Sequence, residues 1–278
     1  MIFVVGGNGR LGRAINAYYG ETNTNSLAHS VYQDWWMPTS SNEIRKYFEP
    51  WAHTNSIIYI ASGLLDPALD SADLMKVNYH LPMNIMEGVA GLGIRAVTFG
   101  TVLETLFLGN GNHYVQSKRA LCAYVEEAAS DKRDVAHLRL HTLYGIGEPA
   151  PFMFLGLVFN ALRSRAPFGM TLGRQLREYH HFTDEAAAIH RFTQDWKPGV
   201  TELNHGQPVT LKDIATTLFS AFDAESLLKV GALPEPAEEN YEKSFQKPEF
   251  LVNCAFRDTL PGVVEYIESC LTAAQAKN

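Results

Sequence analysis

Apolar runs of four to six residues recur through the first half of the chain, each ending in small or glycine residues and followed by a helical spacing. Residues 2–5 (IFVV) have the length and β-branching of a buried parallel strand. They break at once into Gly6, Gly9 and Gly12, every third residue, as the chain turns into a helix over Arg10–Tyr19. A second strand is expected over 26–32 and a helix over 41–51. The run NSIIYI at 55–60 reads as a third strand, ending in Ala61, Ser62 and Gly63. A helix over 73–89 places Leu74, Val77, Leu81, Ile85 and Met86 on one face. A strand at 94–99, a helix from His113 to about 129 and a strand at 135–140 complete an alternation that predicts a parallel sheet covered by helices on both faces.

Beyond Gly145 the alternation stops. Helices are expected at 151–165, 184–193, 211–222 and 263–274, extended pieces at 168–172 and 177–182, and a strand at 202–206 returning to the sheet. The proline-punctuated stretch 234–248 reads as a loop. The fold class is therefore α/β: a doubly wound parallel sheet of Rossmann type with a smaller, mostly helical C-terminal domain. The boundaries drawn are 1–146 with 186–206 for dinucleotide binding, and 147–185 with 207–278 for substrate binding.

The glycine turn has a physical reading. Gly6 turns the backbone, Gly9 lets the main chain approach a pyrophosphate, and Gly12 lets the helix lie against the sheet. The helix N-terminus then offers free N–H groups and partial positive charge to phosphate. Dinucleotide sites usually close the second strand with an acid that binds the adenosine ribose. Here Ala28, His29 and Ser30 occupy that place. A 2′-phosphate is tolerated there, with Arg10, His29 and Ser30 placed to contact it, so NADP is preferred over NAD.

Tyr114 and Lys118 stand one helical turn apart and share a face. A phenol normally ionises near pH 10, and a neighbouring ammonium is expected to move it toward neutrality. Such a pair exchanges a proton with a carbinol or carbonyl oxygen while a nicotinamide exchanges hydride with the carbon. Thr101, at a strand end, is the hydroxyl expected to orient that oxygen; Thr105 and Ser117 are weaker substitutes.

Composition narrows the partners. A net charge of −7 without any block of Lys or Arg excludes nucleic acid and anionic membrane surfaces. The longest apolar run, 151–158, is too short to span a bilayer. Because the first strand starts at Met1, no leader is expected. Cys122, Cys254 and Cys270 lie too far apart for a metal-ligand motif or a disulfide framework, which points to a reducing cytoplasm. His141, His180 and His181 carry no visible carboxylate frame, and adjacent histidines do not readily share one ion, so no metal is expected.

At this point the sequence resembles the extended short-chain dehydrogenase/reductases, in the NAD-dependent epimerase/dehydratase branch that modifies nucleotide sugars. The resemblance rests on Gly6-Gly7-Asn8-Gly9-Arg10-Leu11-Gly12, Ile58-Tyr59-Ile60-Ala61-Ser62, the helix from Val77-Asn78 to Met86-Glu87, and Tyr114-Val115-Gln116-Ser117-Lys118. It extends to Leu138-Arg139 with Leu143-Tyr144-Gly145, to His181-Phe182-Thr183-Asp184, and to Leu203-Asn204-His205-Gly206. It implies Thr101, Tyr114 and Lys118 as catalytic residues. It also implies cofactor contacts from Leu11, Ala61, Ser62, Asn78, Tyr114, Lys118 and His141. Arg174 and Arg177 fall where relatives bind the nucleotide diphosphate, for which a guanidinium is suited. Relatives often pair through neighbouring helices, which implies a homodimer.

Three departures shape the expected reaction. The interval from Thr101 to Tyr114 is short. Val102-Leu103 stand where the family's dehydratases carry Asp-Glu, although Glu104 is near, and no Cys accompanies Thr101. What remains is hydride chemistry, expected as reduction of a keto group on a nucleotide-linked sugar. A 4-epimerase retaining NAD is the alternative, and a non-catalytic NAD(P)-binding sensor the third reading.

Overall fold

β1 (Ile2–Val5) is buried along most of its length and lies next to an edge strand of a six-stranded sheet. With β2 (Thr24–Ser26), β3 (Ile57–Ile60), β4 (Arg95–Thr101), β5 (Val135–Leu140) and the strand Gly199–Glu202, the order from one edge is Gly199–Glu202, β5, β4, β3, β1, β2. Every pairing is parallel. The strand order reverses at β1, which has β2 on one side and β3 on the other, and the carboxyl ends of β1 and β3 therefore flank a switch point. The computed structural model describes residues 1–20, 22–66, 68–109 and 111–276. They fall into two units, Met1–Leu140 with Ala186–Leu203, and His141–Glu185 with Asn204–Asn278.

In the first unit, β3 is buried at all four positions because helices cover both faces of the sheet. Phe3, Ile58, Trp35, Phe48, Ile85 and Val125 belong to its apolar core. Three expected elements come out differently. β2 is only three residues long, and His29–Tyr32 is a helical turn rather than strand. The ladder ends where Leu27 N–H donates to the Val4 carbonyl, after which Ala28 turns the chain. The helix expected over 73–89 is three pieces: an α-helix Ser71–Met75, a π-turn Lys76–His80 and an α-helix Leu81–Val89. The last sheet strand runs Gly199–Glu202, ahead of the expected 202–206.

The second unit packs the helices Phe154–Ser164, Leu211–Ala221 and Thr259–Gln275 around Leu162, Phe168, Leu218, Phe219 and Ile267. The middle helix is started by a capping box, Thr210 with Asp213. Among the described residues, three two-stranded pairs accompany these helices. Segment 234–248 forms no helix. Among the described residues no helix is long and apolar enough to cross a membrane.

Candidate active site

The glycine turn is a cradle with no room for side chains. Gly6 takes φ +84°, and a Cβ there would lie 2.4 Å from Ser62 N, so β1 and β3 approach backbone to backbone at their carboxyl ends. A Cβ on Gly12 would lie 2.3 Å from the Gly6 carbonyl oxygen, and one on Gly7 would overlap Ser26 Oγ. Gly9 N–H donates to the Gly6 carbonyl at 3.0 Å and N-caps the helix Arg10–Tyr19 with no side-chain cap. A closely approached turn feeding an uncapped helix N-terminus fits a dinucleotide pyrophosphate. Two residues join this cradle that the sequence pattern did not mark. Ser26 packs on Gly7, and the Tyr32 hydroxyl is a hydrogen-bond partner of the Gly6 backbone and the Ser62 side chain. Ala28, His29 and Ser30 are exposed beside it.

One residue beyond Ser62, the strand end meets the Tyr114–Lys118 helix. A Cβ on Gly63 would lie 3.6 Å from Lys118 Nζ and 3.4 Å from Asn78 Oδ1. Lys118 donates to the Phe99 carbonyl at 2.8 Å. The π-turn carries Asn78 into the interior, where its Oδ1 accepts from Leu64 N–H at 2.8 Å and its Nδ2 donates to the Leu64 carbonyl at 2.9 Å. Asn78 Nδ2 also reaches Ser117 Oγ at 3.1 Å, and that hydroxyl donates to the Tyr114 carbonyl. Asn78 thus ties the end of β3 to the helix His113–Ser130, which Asn112 caps through Val115 N–H.

Thr101 closes the group. Its side chain is a hydrogen-bond partner of the Tyr114 phenol. The two substitute hydroxyls are turned to the backbone, Ser117 to Tyr114 and Thr105 to the Val102 carbonyl at 2.9 Å. The short interval from Thr101 to Tyr114 is held by Arg119, which donates to the carbonyls of Glu104, Phe107 and Gly109. Electrostatics here depart from the expectation of a lowered phenol. Burial pushes the Tyr114 phenol well above its ordinary value, and the nearby Glu104 charge adds to the rise. Burial lowers Lys118 to about 8, against Glu104, which raises it.

Glu104 is not free to face a ligand. Its Oε1 accepts from Thr101 N–H at 2.8 Å and lies 3.2 Å from His137 Nε2, while Oε2 accepts from Arg139 Nε at 2.9 Å. His137 Nδ1 is 2.8 Å from Thr98 Oγ1. Gly100 makes the space: a Cβ there would lie 2.2 Å from Glu104 Oε1 and 2.1 Å from His137 Nε2.

The second unit holds the remaining residues singled out in the sequence. Arg177 donates to both oxygens of Glu239, at 2.6 and 2.9 Å, and Arg174 lies over the Tyr241 ring within 3.8 Å of Glu235. His141 is buried, its Nε2 at 2.6 Å from Asn204 Oδ1. The histidines do have a carboxylate frame, contrary to expectation. Glu178 immediately precedes the strand Tyr179–His181 that carries His180, and Glu185 enters from the helix that follows, Phe182–Gln194. His180 Nε2 and Nδ1 lie 3.1 Å from Glu178 and 2.5 Å from Glu185. Glu178 also accepts from the backbone N–H groups of His205 and Gly206, which takes residues 205 and 206 out of any strand.

Burial alone would lower His180, but Glu185 and Glu178 raise it to about 9. Burial likewise opposes ionisation of Glu178, yet the His180 hydrogen bond and the charges at His141 and His205 bring it to about 2. The result is an imidazolium between two carboxylates. Glu178, His180 and His205 could in spacing hold a metal ion. Both ring nitrogens of His180 are engaged by carboxylates, and the rings of His141 and His205 lie 5.1 and 4.7 Å from that of His180, each tilted 30° to it.

Residues 2–204 match the family model described as the NAD dependent epimerase/dehydratase family. No curated protein matches the sequence. Among solved structures the chain is similar to a UDP-glucose 4-epimerase from Thermus thermophilus in complex with NAD, with TM-score 0.73 and 14% identity over 98% of this chain and 99% of that one. It is similar to RMD from Pseudomonas aeruginosa complexed with NADPH, with TM-score 0.74 and 14% identity over 98% and 97%. A dTDP-4-dehydrorhamnose reductase from Clostridium acetobutylicum gives TM-score 0.70 and 16% identity over 96% and 98%.

Proposed function

Since the chain belongs to the NAD dependent epimerase/dehydratase family, we propose that it is an NADPH-dependent reductase of a keto group on a nucleotide-linked sugar. The observation carrying this reading is the adjacency of two strand ends, those of β3 and β4. Ser62 lies against the glycine cradle, Lys118 and Asn78 stand beside the face of Gly63 that a side chain would occupy, and Thr101 bonds the Tyr114 phenol.

The cofactor would be held by Gly6, Gly9, Arg10, Leu11 and Gly12 at its pyrophosphate, by His29 and Ser30 at the adenosine ribose, and by Ala61, Ser62, Asn78 and Lys118 toward the nicotinamide. When bound, it supplies the hydride. Thr101 orients the carbonyl oxygen through its hydroxyl. Tyr114 gives that oxygen its phenolic proton, and the Lys118 ammonium offsets the phenolate charge left behind. Burial keeps the phenol protonated, and a protonated phenol is the form a reduction needs. Dehydration needs a free carboxylate beside Thr101, and Glu104 spends both oxygens on Thr101 N–H, His137 and Arg139. The absence of an acid at 28–30 supports NADPH over NADH, and Arg174 and Arg177 are assigned to the diphosphate.

The test is a titration with NAD(H) and NADP(H), followed by a screen of keto-sugar nucleotides for consumption of the preferred reduced form. Stoichiometric NADPH oxidation with one of them is expected. Interconversion of 4-epimers with tightly retained NAD and no net oxidation would overturn the reading in favour of an epimerase. Binding without any turnover would leave a sensor.

A further inference from the structure

Opposite charges bracket the last turn of β4. Lys118 donates to the Phe99 carbonyl at 2.8 Å, and Glu104 accepts from Thr101 N–H at 2.8 Å, with only Gly100 between them in sequence. We propose that Glu104 is a positioning residue: a fixed, buried counter-charge that pins the backbone of Thr101 and keeps the ammonium on Lys118. The inference rests on the reading of Tyr114 and Lys118 as the proton-handling pair.

Glu104 is buried. Its carboxylate faces inward, locked from three sides, and Gly100 is the residue that makes its place. The groups that face it are Arg139 and His137 on β5, and Lys118, Tyr114 and Cys122 on the helix His113–Ser130. Arg119 binds its backbone carbonyl rather than its carboxylate. Arg139 also donates to Cys122 Sγ at 3.0 Å, so its positive charge is shared between carboxylate and thiol. Burial pulls the Glu104 carboxyl up, but His137, the Thr101 N–H and Arg139 more than reverse this, so it is ionised at neutral pH. Lys118 has the opposite problem. Burial lowers it to about 8, and Glu104 is the charge that acts against that loss. The same charge raises the phenol of Tyr114, so both members of the pair stay loaded with protons.

The test reads protonation directly, without substrate or turnover. Protein carrying 13Cε-lysine is titrated by NMR, with the Lys118 signal assigned through K118R. A midpoint near pH 8 is expected in the wild type, falling by about one unit or more in E104Q and returning in E104D. An unmoved midpoint in E104Q overturns the proposal. Should E104Q fail to fold, R139Q is compared with E104Q/R139Q, which removes the buried ion pair together and leaves no lone charge. A lower midpoint in the double variant supports the proposal, and equal midpoints overturn it. Because no keto sugar enters the titration, failure to find a reducible substrate tells against the proposed reaction alone, and an unmoved midpoint tells against Glu104 alone.

Discussion

Arg177 holds Glu239 through two parallel hydrogen bonds, 2.6 and 2.9 Å long, in a pair that is largely shielded from water. A diphosphate assigned to Arg177 must therefore displace a carboxylate. E239Q is expected to tighten binding of a nucleoside diphosphate by about tenfold, and R177Q to weaken it by at least as much. Isothermal titration with UDP and dTDP measures both; unchanged affinity in the two variants would remove Arg177 from the substrate site.

Tyr114 is expected to act as the proton donor and not as a binding residue. Y114F should lower the turnover of a reducible keto sugar by about 10²–10⁴-fold while NADPH affinity changes little. Stopped-flow rates and cofactor fluorescence separate the two effects.

The buried ammonium sets a pH dependence. With Lys118 at about 8, reduction should be level below that pH and decline above it as the ammonium loses its proton. A pH profile of kcat/KM checks this, and one that rises through pH 8 to 9 would contradict the assigned role.

The glycine cradle is a steric requirement. A methyl group on Gly12 would sit 2.3 Å from the Gly6 carbonyl oxygen and 2.7 Å from Gly7 Cα, both backbone atoms that cannot swing aside. G12A is expected to weaken cofactor binding by more than about tenfold, with the far-ultraviolet circular dichroism preserved.

The imidazolium between Glu178 and Glu185 makes stability depend on pH from both sides. His180 is raised from 6.5 to about 9, so its contribution is complete below 6.5 and is lost as pH climbs through 9. Glu178 is lowered from 4.5 to about 2, so its contribution is complete above 4.5 and is lost as pH falls through 2. The maximum contribution of this pair lies between 4.5 and 6.5. H180Q, which leaves two buried carboxylates facing one neutral side chain, should cost about 3–5 kcal/mol in urea unfolding at pH 6.

Residues close in sequence were the ones the pattern could place. The alternation of apolar runs and helical spacing foretold the parallel sheet, and the period of the glycines foretold the turn after β1. Glu104, His137 and Arg139 were out of reach, because their meeting depends on β4 pairing with β5, a contact between positions more than thirty residues apart. His180 misled for a different reason: Glu178 was visible two positions away, but local spacing did not show that Glu185, from the next helix, and Glu178 both reach the buried imidazole. The phenol of Tyr114 was expected to drop because a lysine stood one turn away, but spacing says nothing of burial, and burial dominates.

The π-turn at Lys76–His80 accommodates one residue more than a regular helix would, and through it Asn78 gains its place inside. Each residue of an α-helix advances the face by about 100°, so deleting one position there would turn Leu74, which packs with Tyr114 and Val115, relative to Ile85 and Met86, which pack in the sheet core. Substitutions along 71–89 can be absorbed one at a time, whereas a change in its length cannot. The segment behaves as a ruler whose surplus notch is part of the measurement.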